Sequence, residues 1–170
     1  SGNPVDLSSL TLHKPRINNS VRRVLSMAIG KLKLTSDSPE VRLQAAAQLL
    51  KRPSTDLVEL VEKALDREDN DEVRKMFMLV LAKEGLKSDD KKRRLKSLNI
   101  INEFGNNDFK TDLEALLEKD DTGNFLEGDS EIRDHATKAI ATIENRQFFI
   151  NQAANLFYGL SLGSILLLAA

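Results

Sequence analysis

The stretch Asp37-Ser-Pro-Glu-Val-Arg42 recurs twice further along the chain, as Asp69-Asn-Asp-Glu-Val-Arg74 and as Gly128-Asp-Ser-Glu-Ile-Arg133. Each copy places an acidic turn before a β-branched residue and an arginine. A degenerate fourth copy reads Asp89-Asp-Lys-Lys-Arg-Arg94. The first two copies lie 32 residues apart, and the third lies 59 residues later with the fourth copy between them. Short units that recur in this way are typical of arrays of stacked helices, in which each unit buries its apolar face on its neighbours.

The sequence between the copies predicts helix after helix from residue 18 onward. Ser38 is a good N-cap, because Pro39 after it suits the first helical position and has no N–H to leave unpaired. Asp56 and Glu59 have the spacing of a capping box for the next helix. The helix near Asp71 is apolar nearly all round and should be the most buried. A final long helix begins at Ser130 and meets no Gly or Pro before residue 159, so it could pass directly into the end of the chain.

Composition supports an all-α fold of about six to seven helices. The chain has 170 residues, enough for one domain with a substantial core, and only 5% of them are aromatic. The net charge of −1 gives no overall attraction to nucleic acid or anionic lipid. The absence of cysteine excludes disulfides, thiolate metal sites and a thiol nucleophile.

The repeat pattern resembles HEAT-like repeats, in which an Asp, a Val and an Arg recur at the start of the inner helix. We expect the recurring arginines to bond an acidic residue or a helix end of an adjacent repeat. These positions are therefore interpreted as structural rather than as ligand-binding, and they comprise Val41, Arg42, Val73, Arg74, Ile132 and Arg133.

Candidates for chemistry are few, and none predicts a catalytic residue, a cofactor or a metal. His13 and His135 lie too far apart in sequence to indicate a site. The acidic loop from Asp120 has some of the spacing of a calcium loop, but Phe125 stands where the sharp turn needs glycine. The run Lys91–Arg94 comes after two aspartates and has no interleaved aromatic residues, so it predicts a solvated helix face rather than a nucleic-acid site.

The last 24 residues, Gln147 to Ala170, contain no charged side chain, although 30% of the whole chain is charged. An exposed apolar end of this kind promotes aggregation. Gly159 and Gly163 have the GxxxG spacing that lets membrane helices pack closely. We expect the apolar end either to pack on an apolar groove of the repeat array or to associate with another copy of the chain.

The segment Asn155-Leu-Phe-Tyr-Gly-Leu-Ser-Leu-Gly-Ser-Ile-Leu-Leu-Leu-Ala-Ala170 resembles the entry to the first core membrane helix of bacterial ABC-transporter permeases of the branched-chain amino acid type. The urea permeases of that family carry an extra N-terminal domain. This chain resembles that domain at Ile17-Asn-Asn-Ser-Val-Arg-Arg23, at Ser38-Pro-Glu-Val-Arg-Leu-Gln-Ala-Ala46 and at Ser130-Glu-Ile-Arg133. The resemblance departs at Lys91–Arg94, where an apolar residue and then an arginine are expected.

The resemblance implies a non-enzymatic accessory domain on the extracytoplasmic, periplasmic face of the bacterial inner membrane. The permease would be one for urea, for a short-chain amide or of the branched-chain amino acid type. It implies a substrate-binding protein, a second permease subunit and two ATPase subunits as partners. The domain itself would be a docking surface for the binding protein or the partner permease. An alternative is a free-standing HEAT-like interaction scaffold in the cytoplasm. A HEAT-like lyase would need a pocket with His, Cys or clustered carboxylates, which the sequence does not indicate.

These interpretations divide the chain into three parts. Residues 1–17 form an irregular N-terminal segment with two of the four prolines. Residues 18–146 form the helical repeat domain. Residues 147–170 form an uncharged linker and the start of a membrane helix.

Overall fold

The structure is a computed structural model that describes residues 18–169, with the side chains of residues 163 and 166–169 left out. The predicted N-terminal segment, residues 1–17, and His13 therefore lie outside the described residues. Within residues 18–169 the fold consists of seven α-helices and contains no β-strand, only one bridge between Lys119 and Phe125. The prediction of an all-α, helical-repeat fold of six to seven helices is confirmed.

The helices succeed one another with short connections. Their bounds are α1 Asn19–Leu34, α2 Pro39–Lys51, α3 Thr55–Leu65, α4 Asp71–Gly85, α5 Lys91–Phe104, α6 Lys110–Ala115 and α7 Ser130–Ala169, with a 3-10 turn at Asn107–Phe109 before α6.

Local capping explains several of these bounds. The Ser38 hydroxyl accepts a hydrogen bond from the Val41 N–H at 3.3 Å, which confirms the predicted cap of α2. The predicted capping box at Asp56 is wrong: α3 begins at Thr55, so Asp56 lies in its first turn, and Ser54, at the N-cap, makes no side-chain cap bond. Asn70 caps α4 by accepting two backbone N–H groups at 3.1 Å.

The hydrophobic core is formed mainly by one row of helices, α2, α4, α5 and α7. Helix α2 packs on α4, α4 on α5, and α5 on α7, while α3 lies against α1 and α4, and α6 lies against α7. Helix α4 contributes the most buried residues of any helix, as predicted from its apolar circumference: Val73, Phe77, Leu79, Val80, Ala82 and Gly85.

The row consists of two similar three-helix modules. We call α2–α4 the first module and α5–α7 the second. The module pairs Arg42/Arg94, Val61/Leu113 and Leu65/Leu117 are each 52 residues apart. Arg42 and Arg94 occupy the same position in α2 and α5, and Val61 and Leu113 match when α6 is counted together with the 3-10 turn that precedes it. After Lys119 the separation becomes 59 residues, and Val73 then corresponds to Ile132, Phe77 to Ala136 and Val80 to Ala139, all of them buried. The change of separation places a seven-residue insertion, Asp120–Leu126, in the second module.

The two modules meet at the short connection between α4 and α5. Gly85, at the end of α4, and Ser97 of α5 are both buried. A Cβ on Gly85 would lie 2.2 Å from the Ser97 hydroxyl, far inside van der Waals contact. Glycine is therefore required for this close approach of the two helices.

Candidate interaction surfaces

The arginine of the first repeat joins two helices of the first module. Arg42 donates from Nε and Nη2 to the two carboxylate oxygens of Glu68, at 2.7 and 2.6 Å. Its Nη1 donates to the backbone oxygens of Ser36 and Asp37, at 2.7 and 3.1 Å. Because Glu68 closely precedes α4, this contact holds the N-terminal ends of α2 and α4 together. Arg42 thus makes the bond to an acidic residue of the adjacent repeat that the sequence pattern predicts.

Glu68 is buried, with only 4% of its side chain exposed. It also accepts the Asn70 N–H at 3.0 Å, and its backbone oxygen accepts Nη1 of Arg74 at 3.0 Å. The hydrogen bond from Arg42 lowers the pKa of the Glu68 carboxyl and raises the pKa of Arg42 itself. A carboxylate with this many donors is held ionised and in one orientation.

The second module repeats this arrangement with different residues. Arg94 donates from Nη2 to Glu127, and Arg133 donates to the Glu127 backbone oxygen at 2.6 Å. Glu127 accepts the Asp129 N–H at 2.9 Å, as Glu68 accepts that of Asn70. The bond from Arg94 lowers the pKa of Glu127. The second contact is less complete, since Nε of Arg94 is buried and has no hydrogen-bond partner among the described residues.

These contacts, which we call the two arginine–glutamate clamps, account for every predicted repeat position. Val73 and Ile132 are buried beneath them and Val41 is partly buried. Sequence reasoning missed the two glutamates. Each stands six residues before an arginine of its own repeat, and that shared spacing of Glu68 to Arg74 and Glu127 to Arg133 was the available signal.

Part of the basic run Lys91–Arg94 is paired with acidic residues at or before the start of α7. Lys91 lies 2.8 Å from both Asp129 and Glu131. The Asp129 hydrogen bond, and after it that of Glu131, raises the pKa of Lys91 to about 12. Lys91 and Arg94 therefore join α5 to the start of α7, while Lys92 and Arg93 are exposed, as predicted for a solvated helix face.

The inserted segment Asp120–Leu126 forms a loop that is held by its own hydrogen bonds. One Asp120 oxygen accepts the N–H groups of Thr122 and Asn124, at 2.9 and 3.0 Å, and Gly123 has a φ of +86° that favours glycine. The Phe125 ring lies under the cations of Lys119 and Arg133, at 4.6 and 4.5 Å. The loop carboxylate thus binds its own backbone, and no group of three or more potential metal ligands occurs within residues 18–169.

Two side chains of this loop are exposed. Phe125 is 41% exposed and Leu126 is 64% exposed, although both are held in an ordered turn. Insertions in repeat arrays map to loops on one face, which is often a binding face. The loop is a candidate contact surface on the side of the fold where α5 and α7 begin.

The first helix carries an exposed apolar face. Five apolar residues share this face by their helical spacing and are all exposed: Val21, Val24, Leu25, Ala28 and Leu32. Only Leu34 of α1 is buried. This face is an apolar surface at the first end of the row of helices.

The last helix leaves the body at Gln147. Arg146 donates to the backbone oxygens of Gly105 and Glu103, and Lys110 lies 2.7 Å from Glu144. Asn107 donates to Gln147 at 3.3 Å. Beyond these contacts α7 continues without a break to Ala169, which confirms that the final helix passes directly into the uncharged end.

The apolar end of α7 is exposed. Nine of its large apolar side chains are at least 55% exposed, namely Phe148, Phe149, Ile150, Leu156, Phe157, Tyr158, Leu160, Leu162 and Ile165. The expectation that it packs on a groove of its own array is wrong for these residues, because a continuous helix carries them past the body. A Cβ on Gly159 would meet no atom within 4 Å. The surroundings of Gly163 itself lie outside the description, and packing at the Gly159–Gly163 pair stays a prediction.

Two further findings concern membranes and histidine. In the part of the chain that the structure describes, no helix has both the length and the hydropathy of a membrane span. His135 lies on α7 with Nδ1 2.9 Å from the backbone oxygen of Glu131, one helical turn earlier. It belongs to the helix surface.

The comparisons with known proteins add no relative. No protein-family model, curated protein or solved structure matches the chain.

Proposed function

We propose that this chain is a non-catalytic interaction domain that α7 joins to a membrane, as the extracytoplasmic accessory domain of a bacterial urea ABC-transporter permease. One observation carries the proposal: α7 runs without interruption from the clamped body into a charge-free segment whose apolar side chains face solvent. Exposing that surface to water is unfavourable, whereas burying it in lipid or in other membrane helices is favourable.

The proposal also assigns an orientation to the domain. The body contacts of α7 end at Gln147, and the helix begins at Ser130. At 1.5 Å per residue, the inserted loop next to Ser130 lies roughly 25 Å along α7 from the point where the helix leaves the body. The membrane-facing end and the inserted loop are thus at opposite ends of the body, so Phe125 and Leu126 would face away from the membrane.

In this arrangement the inserted loop is the surface that docks a soluble partner. That soluble partner is the substrate-binding protein. The second permease and, through the full-length protein, the ATPases are the other partners that the resemblance implies. The domain would lie on the periplasmic face of the inner membrane. Urea itself is not a ligand of this domain in the proposal, since the arginines of the repeats are occupied by Glu68 and Glu127.

The coding sequence downstream of Ala170 tests the proposal most directly. We expect it to continue the apolar end of α7 into a complete span and then into several further spans. A stop codon there would overturn the permease assignment. A continuation into a second charged, globular domain would overturn it equally.

A second candidate is a free-standing helical-repeat scaffold in the cytoplasm. The observation that favours it is the exposed apolar face of α1, since it places a second apolar surface at the opposite end of the row from α7. Cell fractionation separates the candidates. A scaffold would partition with soluble proteins, and the permease domain would stay in the membrane fraction after a high-salt wash.

A further inference from the structure

A cleft opens at the junction of the two modules, between α3, α4 and α5. Its floor is apolar and partly buried, and it consists of Leu65, Met78, Leu81 and Ile100. The cleft has a volume of about 330 Å³. That volume is at the lower end of the range for small-molecule pockets and is too small to seat a helix of a partner protein.

The rim of the cleft is charged. Arg93 and Lys96 line it from α5, and Glu62 lines it from α3. Within residues 18–169, neither Arg93 nor Lys96 forms an ion pair, whereas Lys91 and Arg94 on the same helix are both paired with acidic residues at or before the start of α7. The second clamp pairs Arg94, and Asp129 and Glu131 pair Lys91, whereas Arg93 and Lys96 stay beside the apolar floor.

The position of Arg93 is set by the helix junction. Its Cγ lies 3.7 Å from the place that a Cβ on Gly85 would occupy. The aliphatic stem therefore lies over the close contact of α4 and α5, and an arginine in this position keeps its charged head toward solvent while its stem packs on apolar surface.

We propose that this cleft binds a single-chain amphipathic anion, of which a medium-chain carboxylate is the simplest example. The chain lies on the floor formed by Leu65, Met78, Leu81 and Ile100, and the anionic head is held by Arg93 and Lys96. Glu62 disfavours an anion on its own side of the rim and so sets the direction in which the ligand lies. The inference is independent of the proposed membrane function.

The three methionines of the chain give a local readout. Met78 lines the cleft, while Met27 and Met76 do not. The full chain, labelled with ¹³C at the methionine methyl groups, is titrated with decanoate below its micelle concentration. We expect the Met78 signal to shift and saturate while the other two stay unchanged. Decanol tests the need for charge, and acetate tests the need for a chain; both should shift Met78 far less.

Four substitutions on α3 and α5 give signed expectations. Arg93→Gln and Lys96→Gln should each weaken decanoate binding about three- to fivefold, the size of a single exposed ion pair. Glu62→Gln should tighten binding about twofold, because it removes a like charge. Lys92→Gln is the matched control, since Lys92 is exposed on the same helix but does not line the cleft.

The opposite pattern overturns the proposal. Equal shifts with decanol and decanoate, or an affinity that none of the rim substitutions changes, would show apolar adsorption only. Shifts of Met27 and Met76 without Met78 would place the ligand elsewhere, including on the apolar end of α7.

Discussion

Helices α4 and α7 begin alike and then differ. Each starts with an acidic turn, a β-branched residue and an arginine, and each buries the matching positions Val73 and Ile132. Helix α4 ends at Gly85 after 15 residues, whereas α7 runs for 40 residues. The shared start therefore determines how a helix joins its own module, and the residues beyond that start determine which other elements the helix contacts.

Helices α4 and α7 differ in the same way on a second face, which in α4 contains Leu79 and Ala82. Leu79 and Ala82 of α4 are buried, and α4 packs on α5. The α7 residues at the matching positions, Lys138 and Ala141, are exposed. A repeat array needs a terminal unit with a polar outer face to stay soluble, and α7 has one along the body. Its apolar surface begins only beyond Gln147, where the array has ended.

The largest expected loss of stability comes from truncating a core side chain at a position that α4 and α7 share. Phe77 of α4 is fully buried, and its counterpart in α7 is the small residue Ala136. We expect Phe77→Ala to lower the free energy of unfolding by about 3–5 kcal/mol, because it leaves a cavity between α4 and its neighbours. Ala136→Gly is the matched change and should cost about 1 kcal/mol. Chemical denaturation of both variants measures the difference, and similar losses would contradict it.

The clamps should differ in strength. Glu68 is held by two donors of Arg42 and is almost fully buried, whereas Glu127 is held by one donor of Arg94. We expect Glu68→Ala to cost about 2–3 kcal/mol and Glu127→Ala about 1–2 kcal/mol, because each leaves a partly buried arginine without its partner.

Unfolding in urea measures both losses. Glu118→Ala, at an exposed position with no ion pair among the described residues, serves as the control and should change stability by less than about 0.5 kcal/mol. A larger loss for Glu127→Ala than for Glu68→Ala would show that the bond count does not set the order.

The contact between the modules is tested by Gly85→Ala. The added Cβ would overlap the Ser97 hydroxyl and push α4 and α5 apart, and we expect a cost of about 1–2 kcal/mol. The double variant with Ser97→Gly removes that overlap and should recover part of the loss. If the double variant is instead less stable than Gly85→Ala, by the cost of about 1 kcal/mol that a glycine has inside a helix, the overlap with Ser97 is not the cause of the lost stability.

These comparisons also define what the sequence could predict. Periodicity and capping residues were sufficient for the all-α fold, for the cap at Ser38 and for the continuity of α7, because each depends on local chemistry. The exposure of the apolar face of α1 could not be predicted, since the spacing of apolar residues does not indicate which helix covers a face. The same holds for the end of α7, which was expected to pack on the array or on another copy of the chain and which lies exposed beyond the body. Association with another copy stays a prediction.

The two three-helix modules were not predicted, because the residues that recur in both modules lie far apart in the sequence. Only the arginine start was recognised, and the glutamates that receive Arg42 and Arg94 lie in the turns before α4 and α7. The insertion after Lys119 also shifts the second half of the module, so one fixed spacing does not match the whole unit.

Acid should weaken both clamps. Arginine hydrogen bonds lower the pKa of Glu68 and of Glu127 in the folded state. Their stabilisation is therefore fully present above the unfolded glutamate pKa of about 4.3 and is lost as the pH falls through the lower folded values. We expect the free energy of unfolding to decrease below about pH 4.3, and the decrease to be smaller in Glu68→Gln. An identical acid dependence in wild type and variant would contradict this linkage.

The smallest expected effect belongs to the insertion, and it tests the module comparison itself. Deleting Asp120–Leu126 joins Leu117-Glu118-Lys119 to Glu127, which matches Leu65-Asp66-Arg67-Glu68 of the first module in charge and order. The deletion removes the stacking of Phe125 on Arg133 but shortens a loop whose closure costs little, so stability should change by less than about 1 kcal/mol. Inserting the same seven residues between Arg67 and Glu68 is the reciprocal variant and should be tolerated equally. Thermal unfolding measures both, and a deletion variant that loses the Arg94–Glu127 contact or fails to fold would show that the two modules are not built on one plan.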